Sequence, residues 1–192
     1  MLDFAAVRAR TLTIQELAAG LAKDDLAAAA RAMTDDVLAR IEGCDDPDVI
    51  FVPIDPNAHD EFAADVAEVG LAWTLGHVIV HVTASAEEAA FIAAELARGV
   101  AREGRSRYES PWATVTTIDG CRRRLHESLR MILATLDAWP DEPHLGVTLP
   151  GATGPRNAIA RFLSGLSHAD SHREQVSEIV RQARTAHAAA GA

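Results

Sequence analysis

The stretch AIARFLSGLSHADSHREQVSEIVRQA, residues 158–183, carries the clearest folding signal in this sequence. Small and apolar residues recur in it at alternating intervals of four and three, which is the spacing of a helix face that packs inward in a helical bundle. A histidine occupies one of these inward positions, and a second histidine lies one turn before it. The inward face comprises Ala158, Phe162, Gly165, Ala169, His172, Val176, Ile179 and Ala183.

The composition favours helix along the whole chain. Of 192 residues, 48% are hydrophobic and only 5% are aromatic, and much of the hydrophobic fraction is alanine. Alanine-rich segments that are poor in β-branched residues have high helix propensity. We therefore predict an all-α protein. A chain of this length can bury a substantial core, and we expect residues 1–192 to form a single domain.

Hydrophobic periodicity predicts four long helices, and the economical arrangement of four such helices is a four-helix bundle. The first helix begins near Thr13, because Thr13 and Glu16 have the spacing of a capping box, and it ends before Gly43. The other three helices are predicted at about residues 68–102, 117–136 and 155–189.

A long connection, residues 44–70, separates the first two predicted helices. It contains three prolines, and each proline removes a backbone donor and disfavours the helical region at the residue before it. Two interpretations are open. Long ordered loops often form lids or binding loops, but the segment is also compatible with a plain excursion over the surface.

Charge and cysteine content narrow the functional classes. The formal net charge of −10 argues against nucleic acid and against anionic membranes as partners, since both attract clustered cations. The two cysteines, Cys44 and Cys121, form no CxxC motif and no dense disulfide pattern. With neither a signal peptide nor a membrane-spanning stretch in the sequence, we expect a cytoplasmic protein with reduced thiols.

Two histidine pairs with a spacing of four residues are the strongest chemical signal. His168 and His172 belong to the predicted fourth helix, and His77 and His81 belong to the second. Residues four apart on a helix lie close enough for both rings to reach one ion. The competing interpretation is a set of core histidines that are hydrogen-bonded to neighbours. Three imidazoles with an open position would form a catalytic type of metal site.

These residues resemble a known family. Trp73 and His81 on the second helix, combined with His168-x-x-x-His172 on the fourth, are similar to the DinB-like superfamily of helical, stress-related metal-binding proteins. The resemblance implies a four-helix bundle over roughly residues 11–187, with a divalent metal held by His81, His168 and His172. It also implies frequent homodimers. Nitrogen donors suit zinc, nickel, copper or ferrous iron, and we expect zinc or nickel.

The resemblance also suggests a reaction. Characterised relatives include transferases and isomerases that use a low-molecular-weight thiol, so we predict a metal-dependent thiol S-transferase acting on a small-molecule substrate. A metal site of this kind also suits isomerase or hydrolase chemistry. The alternative is a non-catalytic metal-binding stress-response protein or helical interaction module. This sequence departs from the family pattern in the long 44–70 connection and in the additional His77.

The remaining candidates have weaker signals. His77 is either a fourth ligand, a group that orients a ligand, or a plain core or surface residue. Arg161 precedes His168 on the predicted fourth helix and could bind a substrate carboxylate. His126 is expected in solvent, and His187 is expected to complement the dipole at the end of the last helix. The glycines of the segment GATGP, residues 151–155, are expected to form a turn.

Overall fold

The computed structural model describes residues 2–60, 63, 66–102 and 111–190. Within these ranges the chain is helical, and the only β pairing is an isolated bridge between Leu149 and Arg156. The prediction of an all-α protein is confirmed. The α-helices are α1 Phe4–Arg8, α2 Ile14–Leu17, α3 Lys23–Arg40, α4 Asp46–Ile50, α5 Leu75–Ala97, α6 Ile118–Asp137, α7 Ala158–Ser171 and α8 Arg173–Ala190.

The described residues contain eight α-helices rather than the predicted four, because the first and fourth predicted helices are each divided in two and the short helices α1 and α4 are added. The capping box at Thr13 is present, and the Thr13 N–H donates to Glu16 Oε2 over 2.7 Å. Gly20, however, has a φ of +78°, a left-handed conformation that interrupts a right-handed helix. The long helix α3 therefore begins only at Lys23.

The predicted second and fourth helices have different bounds in the structure. Helix α5 begins at Leu75 rather than near residue 68, because the Thr74 side chain caps it by accepting from the His77 N–H. It ends at Ala97 rather than at residue 102, shortly before Gly99 adopts a φ of +86°. The fourth predicted helix begins at Ala158 rather than Pro155 and is interrupted at His172, which separates α7 from α8.

The 44–70 connection is more ordered than its three prolines suggest. It contains helix α4, Asp46–Ile50, and a short 3-10 helix, Val66–Glu68. Pro47 lies in the first turn of α4, where backbone N–H groups have no intrahelical partner, so the missing donor costs nothing there. Most of the connection between the predicted second and third helices, residues 103–110, lies outside the described residues.

Helix α5 is the central element of the core. It packs against α6 and α7, and α3 packs against both of these helices. Residues 75–80 of α5 are all buried. Gly165 of α7 allows close packing against α5, since a Cβ at this position would lie 2.6 Å from the Ala89 Cβ. Small residues at the contact thus fix a short distance between the two helices that carry the histidine pairs.

Among the described residues, no helix combines the length and the apolarity needed to cross a membrane. The polar positions at intervals along the long helices account for this, because each helix buries only part of its surface.

Candidate metal centre

Three histidines from two sides of the α5–α7 contact meet in one place. His81 lies on α5, His168 lies in the last turn of α7, and His172 is the residue between α7 and α8. The close packing at Gly165 brings the α7 histidines toward α5. At His172 the helix tightens locally, with ψ at −2° and its N–H donating to the Ala169 carbonyl three residues back.

The ring nitrogens of these three histidines converge. The Nε2 atoms of His81 and His168 are 2.7 Å apart. The ring centroids of His81 and His168 and of His168 and His172 are 4.8 Å apart, and those of His81 and His172 are 5.0 Å apart. One nitrogen from each ring lies within 4.8 Å of the other two. Metal–nitrogen bonds of about 2.0–2.1 Å could bridge such a set after small ring rotations.

Gln175 fixes the protonation of one of these rings. The Nδ1 of His172 is 2.7 Å from Gln175 Oε1, and because a carbonyl oxygen only accepts, Nδ1 carries the proton. The lone pair of His172 is therefore on Nε2. Burial lowers the pKa of His172, while the bond to Gln175 acts in the opposite direction. Neutral imidazole is the form that binds a metal, so the donor set fits a divalent ion.

A comparison with known families identifies the superfamily of the chain. The profile described as the DinB superfamily matches residues 18–176. The chain belongs to the DinB superfamily. The matched range includes all three converging histidines. No curated protein and no solved structure matches the sequence.

His77 of this DinB-superfamily chain lies outside the three-histidine group. Its ring is stacked between two tryptophans, with centroid distances of 4.5 Å to Trp73 and 4.4 Å to Trp112. Burial lowers the pKa of His77 to about 4, against a smaller opposing influence from Asp60. Its Nδ1 is buried and finds no hydrogen-bond partner among the described residues. The geometry therefore assigns His77 a place in an aromatic stack, next to the group rather than in it.

Trp73 connects the aromatic stack to the three-histidine group. Its ring lies 4.6 Å from the centroid of His81 and 5.9 Å from that of His172, in addition to its contact with His77. The absence of a side chain at Gly76 lets the segment before α6 approach α5, since a Cβ there would clash with the Val115 carbonyl oxygen. This approach brings Trp112 onto His77.

An ion-pair network holds the junction of α7 and α8, and sequence reasoning did not find it. Arg173, next to His172, donates to both oxygens of Asp36 over 2.6 and 2.7 Å and to Asp170 over 2.9 Å. Asp170 also binds Arg8 of α1, and Asp36 also binds Arg40 over 2.7 Å. Helices α1 and α3 thereby hold the ends of α7 and α8 on both sides of His172. The sequence shows the spacing of only two of these pairs, Asp170 with Arg173 and Asp36 with Arg40.

A cavity of about 610 Å³ lies on the His172 side of the group. Its walls are residues 53–59 of the 44–70 connection, Trp73 and one face of α8. Gln182 anchors this wall, because its side-chain amide accepts from the Ile54 N–H over 2.8 Å and donates to the Ile54 carbonyl over 3.1 Å. Three carboxylates, those of Asp55, Glu174 and Glu178, line the cavity. We call it the α8 cavity.

A second cavity, of about 470 Å³, lies on the His168 side in the groove between α5 and α7. We call it the α5–α7 groove. Arg161, which the sequence suggested as a carboxylate-binding residue, lines it. Arg156, which the sequence did not single out, also lines it. The other polar side chains of this groove are Ser85, Glu88 and Ser164.

The three-histidine group includes neither His126 nor His187 nor either cysteine, whereas His59 lines the α8 cavity beside His172. His126 is exposed, as predicted, and His187 Nδ1 is 3.2 Å from Asp48 Oδ1 at the end of α8. Both cysteines are buried and free. Burial raises the pKa of Cys44 and raises that of Cys121 to about 12, so both remain protonated thiols rather than nucleophiles at neutral pH.

A second set of groups that could hold a cation is formed by Asp45, Asp48 and His187. Asp45 and His187 are exposed. Asp45 and Asp48 also exchange backbone and side-chain hydrogen bonds that cap α4. The capping role explains this carboxylate pair without an ion.

Proposed function

We propose that this protein is a metal-dependent thiol S-transferase in which His81, His168 and His172 hold one divalent ion, zinc or nickel. The observation that carries the proposal is the convergence of three ring nitrogens within 4.8 Å beside a cavity large enough for a small molecule. Three imidazoles leave coordination positions for other ligands, which is the arrangement of catalytic rather than structural sites.

In the proposed centre, the divalent ion and the surrounding residues make different contributions to the reaction. The chemistry that such a group supplies when bound is deprotonation of a thiol ligand at neutral pH. Gln175 keeps the proton of His172 on Nδ1, which leaves Nε2 available for ligation. Trp73 packs against His81 and His172 and limits access of water from that side. Residues 53–59 form the outer wall that would orient the electrophilic substrate.

The buried, protonated cysteines support an external thiol as the nucleophile. Neither Cys44 nor Cys121 belongs to the cluster of three histidines, and burial keeps both in the thiol form. A low-molecular-weight thiol would therefore provide the sulfur that reacts. We also propose a homodimer, which size-exclusion chromatography with light scattering tests directly.

Metal content and turnover test the proposal together. The protein is purified without a histidine tag, its metal is quantified by mass spectrometry, and S-conjugation is assayed with several low-molecular-weight thiols and an electrophilic dye. We expect about one metal per chain and metal-dependent conjugation. Replacing His168 by Ala should remove both, whereas replacing the exposed His126 by Ala should remove neither.

The possible outcomes separate the alternatives. Stoichiometric metal without conjugation of any thiol would favour the non-catalytic metal-binding module over the transferase. A protein that takes up no zinc or nickel from solution would contradict both, and would leave the three histidines as a hydrogen-bonded core cluster.

A further inference from the structure

The two cavities on either side of the three-histidine group have opposite electrostatic character. Asp55, Glu174 and Glu178 line the α8 cavity, and its described lining residues include no arginine or lysine. The α5–α7 groove is lined by two arginines and one glutamate. The lining of the groove has a formal charge of +1, from two arginines against one glutamate, in a protein whose net charge is −10. One histidine of the group lines each cavity, His172 the first and His168 the second.

Arg156 is held in place at one end of the groove by the turn that precedes α7. Its backbone pairs with Leu149 through two hydrogen bonds of 2.8 and 3.0 Å. The turn wraps closely around its side chain, since a Cβ at Gly151 would lie 2.5 Å from the Arg156 Nε. A Cβ at Gly151 would also lie 2.7 Å from the Gly154 carbonyl oxygen, so the turn and the arginine together explain the first glycine of the GATGP segment.

Arg156 lines the groove, and one nitrogen of its side chain lacks a hydrogen-bond partner. Its Nε is buried and has no hydrogen-bond partner among the residues that the structure describes. Burying a guanidinium N–H without an acceptor is costly. A carboxylate matches the planar fork of arginine with two parallel hydrogen bonds, so an anionic ligand in the groove would pair with the part of the guanidinium that lines it.

The size and position of the groove fit a small ligand that also reaches the metal centre. Its volume of about 470 Å³ lies within the usual range of about 300–1,000 Å³ for small-molecule sites. The groove extends along α7 from Arg156 through Arg161 and Ser164 to His168. A ligand that fills the groove would therefore contact both the arginines and His168 of the three-histidine group.

We propose that the α5–α7 groove binds a carboxylate-bearing small molecule, with Arg156 as its recognition residue and Arg161 as a second cationic contact. The assignment of the two ligands rests on the proposed function. The groove receives the thiol co-substrate, and the α8 cavity receives the electrophile. The acidic wall of the α8 cavity repels carboxylates, so the two ligands are sorted by charge to opposite sides of one centre.

Carboxylate binding is tested first on metal-free protein, treated with a chelator, so that the result does not depend on the metal. The probes are 3-mercaptopropionate and the neutral 2-mercaptoethanol, titrated while amide chemical shifts are followed by NMR. We expect 3-mercaptopropionate to shift amides of residues 156–168 and to bind at least about tenfold more tightly than 2-mercaptoethanol.

Variants at Arg156 identify the recognition residue. Arg156→Gln should lower the affinity for 3-mercaptopropionate about tenfold and leave that for 2-mercaptoethanol unchanged. Arg156→Lys keeps the charge but loses the two-point geometry, so it should retain part of the affinity. The exposed Arg123 of α6 lies outside the groove, and Arg123→Gln is the matched control. Thermal melting of each variant shows that the fold is kept.

Metal-loaded protein then separates this inference from the proposed function. With a carboxylate-bearing thiol, Arg156→Gln should raise KM about tenfold with little change in kcat. If the metal-free protein binds 3-mercaptopropionate through Arg156 but takes up no metal, the groove assignment stands and the transferase proposal fails. If 3-mercaptopropionate does not bind, or binds Arg156→Gln as tightly as the unaltered protein, the groove assignment is overturned whatever the metal content.

Discussion

The histidine pair on α5 and the pair at the end of α7 have the same spacing but different geometry. His168 and His172 both belong to the three-histidine group, whereas on α5 only His81 does. His77, one turn earlier, is held between Trp73 and Trp112 with centroid distances of 4.5 and 4.4 Å. The two pairs would be indistinguishable from spacing alone.

The difference between the pairs comes from their neighbours. Four residues on an α-helix advance by slightly more than one turn, so such a pair shares a face but not a direction. On α5, two aromatic rings fill the space around the first histidine. At the α7–α8 junction the helix is interrupted at His172, and Arg173 is anchored to Asp36 and Asp170. Spacing selects the candidates, and packing decides which of them meet.

The largest expected difference is in metal affinity, when one histidine is removed from each pair in turn. We expect His172→Ala to weaken zinc or nickel binding by more than about a hundredfold, because a ligand is lost. His77→Ala should change the affinity by less than about threefold. Chelator competition measures both, with melting curves as the control for folding. Equal losses in the two variants would show that His77 belongs to the centre.

The stacked His77 should also make stability depend on pH in metal-free protein. Its pKa is about 4 in the folded state and near 6.5 in an unfolded chain. The unfolded state therefore binds more protons between these values. The stability is complete above about pH 6.5 and is lost as the pH falls toward 4, by about 2–3 kcal/mol at pH 4.5.

Urea unfolding at pH 7 and pH 4.5 measures this loss of stability. His77→Phe keeps an aromatic ring in the stack and removes the titrating group, so its free energy of unfolding should fall less over the same range. The other histidines are present in both proteins and cancel in the difference. Identical pH dependence in the two proteins would contradict the assignment.

A substitution at Gln175 tests the His168 and His172 pair through the residue that is bonded to His172. Gln175→Leu removes the acceptor that keeps the His172 proton on Nδ1. Loss of such a partner typically lowers metal affinity about 10- to 100-fold. Gln175→Glu retains an acceptor at the same distance and should preserve the affinity. Metal titration of both variants gives the answer, and unchanged binding in Gln175→Leu would remove Gln175 from the centre.

The smallest expected effect concerns the helix contact that brings the pairs together. In Gly165→Ala the new Cβ would lie 2.6 Å from the Ala89 Cβ, and overpacking of this kind costs about 1–3 kcal/mol. The gain in helix propensity offsets about 1 kcal/mol. We expect a net loss of about 1 kcal/mol in the free energy of unfolding, measured with urea.

A matched glycine provides the control for this contact. A Cβ added at Gly146 would point into open space, with no described residue beyond its chain neighbours within 4 Å. Gly146→Ala should therefore change the stability by less than about 0.5 kcal/mol. If Gly165→Ala were as stable as the unaltered protein, the contact between α5 and α7 would be looser than the structure has it.

Features that depend on residues close together in the chain were predicted correctly from the sequence. The capping box at Thr13 and the inward face of residues 158–183 are set by interactions within one or two turns, and the structure contains both. Sequence reasoning missed Gln175, the Asp170 network and Arg156. Arg8 and Asp170 are 162 residues apart in the chain, and no periodicity relates residues at such a separation. The break at His172 was missed because helical spacing continues through it.

By itself, the sequence predicted the helical class and the inward face of residues 158–183, and it offered two histidine pairs as metal ligands. These predictions follow from side-chain chemistry and from periods of a few residues, whereas the superfamily and the choice of His81, His168 and His172 came from the family resemblance. Only the tertiary structure decided that His77 stacks between tryptophans while His81 joins His168 and His172. It also decided that the cavities on the two sides of the group differ in charge. Both depend on distances between separate elements, which the close contact at Gly165 and the anchored junction at His172 set.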